Sequence, residues 1–136
     1  MKYLKLFEDY TNLYQSDIIR IQLINDFLEN CKENPDYNIE LPDYNDLIDD
    51  WDGYDDQTYI QNNGNEFIYW EGWVRACWQA AYKKPEYKGL GKDLIIEKII
   101  KERFPRIAEE VNYKINNYDY FRHDGIYIMK ITFTKT

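Results

Sequence analysis

The chain reads as an α+β fold, with three to four helices followed by a C-terminal antiparallel β-hairpin or small sheet. Three observations predict it. Apolar residues recur at helical spacing in the first quarter and again over residues 92–104, whereas the last quarter alternates in the manner of strands. Turn-forming residues separate these stretches: Asn34-Pro35-Asp36, Asn63-Gly64, Gly89 with Gly91, and His123-Asp124-Gly125. At 136 residues with 44% hydrophobic and 18% aromatic side chains, residues 1–136 are expected to form a single domain with a core of its own.

Residues 3–14 place Tyr3, Leu6, Phe7, Tyr10, Leu13 and Tyr14 at helical spacing and predict a short first helix. Ser16 is a good N-cap with Asp17 in the first turn, so a second helix should run to about Glu33. Its expected buried face is Ile19, Leu23, Ile24, Phe27, Leu28 and Cys31, and Asn34-Pro35 ends it. Residues 35–56 are polar, with two prolines and Gly53, and read as a long ordered loop with one turn of helix at Asp46–Trp51.

Residues 57–70 carry two signals. Asn63-Gly64 between Thr58-Tyr59-Ile60 and Phe67-Ile68-Tyr69 is a hairpin signature. Phe67, Trp70, Val74, Cys77, Trp78 and Ala81 form a helical stripe instead, and favour a helix over residues 67–83 after a short strand at 57–62. A further helix is predicted from Lys92 to Phe104, burying Leu94, Ile95, Ile96, Ile99 and Ile100, with Pro105 stopping it or starting a short successor. Val111, Tyr113 and Ile115, then Tyr127, Met129, Ile131 and Phe133, predict the closing hairpin around His123-Asp124-Gly125.

Charge is unevenly placed. The net charge is −8, yet residues 1–66 hold 16 acidic and 4 basic side chains, and residues 67–136 hold 9 and 13. No Lys or Arg occurs between Lys32 and Arg75, and seven aspartates fall within residues 43–56: Asp43, Asp46, Asp49, Asp50, Asp52, Asp55 and Asp56. An acidic chain is not expected to bind nucleic acid directly. No apolar run reaches membrane-spanning length, and the opening residues lack a signal-peptide pattern, so no membrane contact and a cytoplasmic location are expected.

Most catalytic chemistry finds no support. One serine and one histidine would have to build a triad from Ser16 and His123, and Ser16 reads as a helix cap. Cys31 and Cys77 lie on apolar helical faces and are expected to stay reduced. No CxxC or HxxxH spacing suggests zinc. In Asp50-Trp51-Asp52-Gly53, an EF-hand calcium loop with Gly53 at its sixth position would need an oxygen ligand where Ile48 stands and a glutamate where Tyr59 stands. No cofactor, metal or catalytic residue is therefore assigned, and the sequence leans away from an enzyme.

Two resemblances add to this reading. The opening Met1-Lys2-Tyr3-Leu4-Lys5-Leu6-Phe7-Glu8 resembles the start of many small proteins of tailed phages, which implies a phage origin and action in the host-cell cytoplasm. Pro85 to Ile95, with Gly89, Leu90, Gly91 and Lys92 at its centre, resembles the acetyl-CoA loop of GNAT-type acetyltransferases, as does Tyr120-Phe121-Arg122-His123-Asp124-Gly125-Ile126 their C-terminal pattern. That likeness implies, as an alternative, a divergent acetyltransferase whose backbone N–H groups at Gly89–Lys92 would hold a pyrophosphate.

The acidic stretch contains its own aromatics, Trp51 and Tyr54 among them. Solvated charge needs no indole, whereas an interface uses aromatics as desolvated anchors and charges for steering. Were residues 43–56 helical, they would span about 21 Å with a carboxylate roughly every 3 Å, close to the phosphate spacing of about 3.4 Å in a nucleic-acid strand. The expected function is thus that of a small acidic inhibitor, a nucleic-acid mimic. Asp43, Asp46, Asp49, Asp50, Trp51, Asp52, Tyr54, Asp55 and Asp56 would bind a basic partner, a host nucleic-acid-binding defence protein such as a CRISPR or restriction nuclease. In size, charge and apparent origin the chain is similar to anti-restriction and anti-CRISPR proteins. An immunity protein against a basic toxin is the other alternative.

Overall fold

A computed structural model describes residues 14–37, 57–73, 75–123 and 125–136. The first predicted helix, the loop turn at 46–51 and every aspartate of residues 43–56 lie outside the described residues, as do Trp51 and Tyr54.

Helix α1 spans Gln15–Glu33. Its start differs from the expected one. Tyr14 is the N-cap without a side-chain hydrogen bond, and Ser16 lies inside the first turn, where it accepts a bond from Arg103 Nη2 at 2.8 Å. Its buried face is also rotated from the one the apolar pattern predicts. Ile24 and Phe27 are buried and Leu23, Leu28 and Cys31 pack against the core as expected, but Asp17, Arg20 and Ile21 are buried too, while Ile19 is 55% exposed. The rotation follows from ion pairing: Asp17 and Arg20, three apart on one face, find oppositely charged partners elsewhere in the fold.

Strands β1 (Gln57–Asn63) and β2 (Glu66–Trp73) form an antiparallel hairpin. The turn signal therefore prevails over the helical stripe, and the helix expected from residue 67 is corrected to α2, Arg75–Tyr82. Gly64 opens the two-residue loop at φ 76°, where a side chain would be strained. On β2, Phe67, Tyr69, Glu71 and Trp73 alternate onto the face that packs under the helices. In α2, Trp78 and Ala81 keep the inward face that the stripe assigned them.

Helix α3 is continuous but irregular: α-helical over Lys92–Lys98, a π turn over Ile99–Arg103, and α-helical again over Phe104–Glu110. Pro105 explains the wide turn. It lacks an N–H, and its ring would collide with the carbonyl four residues back in a regular helix. Phe104 N–H instead bonds Ile99 O, five residues back. Ile95, Ile96, Ile99 and Ile100 are buried as expected, whereas Leu94 is 56% exposed. Asn112, at φ 64°, ends the helix in the left-handed region that Asn tolerates.

Strands β3 (Tyr113–His123) and β4 (Ile126–Lys135) form the predicted closing hairpin, with Asp124 and Gly125 between the paired His123 and Ile126. A bulge lies between Ile115 and Asn117. The sheet order is β1-β2-β4-β3, antiparallel throughout. The molecule is thus α+β, with three helices and a four-stranded sheet among the described residues. Phe67 stacks on Phe133 at 4.6 Å between ring centroids, and Trp78 stands edge-on to both Trp73 and Tyr127. Among the described residues, no helix is long and apolar enough to cross a membrane.

Candidate functional site

The docking residues expected from sequence all fall outside the described residues. The described structure does fix what flanks them. Asn62 Nδ2, near the end of β1, donates to Pro35 O at 2.8 Å, and Tyr37 packs on Phe27 at 5.7 Å. Gln57 opens the same strand at its other end. Pro35 and Gln57, on either side of residues 38–56, thus both lie along the edge strand β1.

Gly89, Leu90, Gly91 and Lys92 form the approach to α3, with Gly89 at φ 80°. A short 3-10 turn, Pro85–Tyr87, precedes them, and before it comes α2 rather than a strand. The cysteines are both unbridged and half-buried. Among the described residues no group of His, Cys, Asp and Glu is placed to hold a metal.

The structure assembles a site that sequence reasoning missed. Glu71 is 3% exposed on the core-facing side of β2. It accepts hydrogen bonds from Tyr69 Oη at 2.7 Å, Trp73 Nε1 at 2.8 Å and Arg20 Nε at 2.8 Å, and Arg20 Nη2 bonds its second oxygen. The Arg20–Glu71 pair is thus bidentate. Arg20 Nη1 reaches Asp17 at 2.8 Å, and Asp17 in turn accepts from Arg103 Nε and Nη2 at 2.9 and 2.8 Å. Arg103 Nη1 also donates to Tyr87 Oη at 3.1 Å. Two carboxylates and two guanidiniums so form one chain from strand to helix to helix.

Burial alone would raise the Glu71 pKa, but the Arg20 charge and the hydrogen bonds outweigh it and hold the carboxyl below its ordinary value. Burial would lower Arg20, and Glu71 more than reverses that, so Arg20 lies well above its usual value. Tyr69 is pushed well up, first by burial and then by the Glu71 charge, and remains a donor. Glu71 and Arg20 therefore face each other as a charged pair at neutral pH.

This cluster borders a cavity of about 310 Å³, the size at which small-molecule sites begin. Its lining includes the charged Arg20, Glu71 and Arg103 and the apolar Trp73, Ala80 and Ala81. Lys84 and Tyr14 stand at its margin, with Lys84 Nζ 4.6 Å from the Tyr14 ring centroid and Arg103 Cζ 4.2 Å from the same centroid. The one available sequence signal was the i,i+3 pair Asp17–Arg20 on a helix, which by itself reads as solvated surface.

Comparison with family models, with curated proteins and with solved structures finds no match.

Proposed function

We propose that the protein is a small acidic binding protein that occludes a basic, nucleic-acid-binding surface of a partner, acting by blockage rather than catalysis. One observation carries the reading. Residues 43–56 hold seven aspartates around Trp51 and Tyr54, in a stretch from Lys32 to Arg75 that contains no intervening cation. The charges steer encounter and set specificity, and the aromatics supply the desolvated anchors. The flanks support the reading as well. Pro35 and Gln57 are both held to β1, and a segment tethered at each end loses less freedom on docking than a free tail does.

The test is capture from host lysate with the tagged full chain, repeated with Asp49, Asp50, Asp52 and Asp55 all changed to Asn. The captured protein should bind nucleic acid, and duplex DNA should displace it. Capture should also fall with salt, and the Asn variant should bind at least about tenfold more weakly with a flatter salt dependence. Equal capture by the Asn variant, or indifference to DNA, overturns the proposal.

A further inference from the structure

The cavity beside Glu71 carries a charge imbalance that the ion pairs do not cancel. Three cations face it, Arg20, Lys84 and Arg103, while the paired carboxylates are Asp17 and Glu71. In a chain of net charge −8, the described residues of this pocket carry one positive charge more than their paired carboxylates cancel. Donors are also left over. The described bonds of Arg20 use Nε, one N–H of Nη1 and one of Nη2, so two of its five N–H groups remain. Tyr87 Oη accepts from Arg103, which leaves its own proton to donate. Lys84 and Arg103 meet the same Tyr14 ring.

The backbone points to the same place. Arg103 is the last residue of the π turn, and such turns concentrate at functional sites because they re-aim a side chain at a cost in helix regularity. The same cavity is also lined by the apolar surfaces of Trp73, Ala80 and Ala81.

The geometry points to a binding site for a small organic anion, with its carboxylate or phosphate head between Lys84 and the two guanidiniums and its flat apolar body against Trp73. Guanidinium forks match both head groups, and the positive balance disfavours a neutral or cationic ligand. This site is independent of the acidic segment and of the partner proposed for it.

The experiment follows the Trp73 Nε1–H resonance of the full-length, isotope-labelled protein during titration. The probes are indole-3-acetate, its neutral counterpart indole-3-acetamide, and phenyl phosphate. At least one of the two anions should shift that resonance saturably at millimolar concentration, and the amide should bind at least about tenfold more weakly. Whichever anion binds tighter identifies the head group. Lys84→Glu should weaken anion binding at least about tenfold, whereas Lys84→Arg should retain it. Lys84 lies outside the buried ion chain, so both variants leave that chain paired. The inference fails if neither anion shifts the resonance, if the amide binds as tightly as the tighter-binding anion, or if Lys84→Glu binds as the parent does. The comparison of acid with amide needs no variant at all.

Discussion

At one end of β2, Phe67 is packed among Phe27, Tyr113 and Phe133, with ring centroids 4.6–5.9 Å away. Four residues along the same face, Glu71 is equally buried, but its neighbours are Arg20, Tyr69 and Trp73, each of which donates a hydrogen bond to it. The first end gains from apolar area, a force that is non-directional and forgiving of shape. The second end must first offset the desolvation of buried charges, and it does so only while every partner is in place. Equal burial therefore hides unequal tolerance.

Isosteric replacement separates the two ends most sharply. Glu71→Gln keeps the volume but leaves Arg20 short of a counter-charge, and should cost about 3–5 kcal/mol in urea unfolding. Phe67→Leu changes the volume more, yet should cost only about 1–2 kcal/mol. A smaller loss at Glu71 than at Phe67 would remove the contrast.

Acid gives the next largest effect. The folded-state pKa of Glu71 is depressed below its usual 4.5, so the unfolded chain takes up its proton first as pH falls. The stability this group supplies is complete above that value and is lost as pH drops through the lower folded-state value. The urea midpoint of the parent should decline below about pH 4.5, and that of Glu71→Gln should decline less steeply. Parallel declines would mean that other carboxylates govern acid unfolding.

The smallest effect belongs to an exposed pair. Lys98 and Glu102 meet at 3.0 Å on the outer side of α3, with Glu102 58% exposed. Glu102→Gln should cost less than about 0.5 kcal/mol, and less still in high salt. A larger cost would show that the difference between the ion pairs is not one of solvent exposure.

The pattern of what could be read from sequence follows the same division. The closing hairpin was legible because Tyr127, Met129, Ile131 and Phe133 alternate cleanly, and α3 because its isoleucines recur at helical spacing. In the first hairpin, a two-residue turn decided between a strand and an equally good helical stripe. The facing of α1 was legible in its second half, through Ile24 and Phe27, but not in its first turns. Burying Asp17 and Arg20 in preference to Ile19 depends on Arg103 and Glu71, which lie 86 and 51 positions away in the chain. No local pattern contains those distances. The cavity was hidden for the same reason, since α1, β2, α2 and α3 each supply only a part of its lining. The acidic segment was conspicuous in sequence from charge alone, and it lies outside the described residues.

Pro105 gives one imino acid leverage over the guanidinium of Arg103, two residues before it. Removing a single residue from the widened loop of helix ahead of it would swing everything downstream by about 100°. The spare residue thus acts as a shim: it sets the angle between the half of that helix that buries Ile95 and Ile96 and the half that buries Phe104 and Ile107, with Arg103 at the joint. An insertion or deletion there would misalign the two halves even if every side chain were kept.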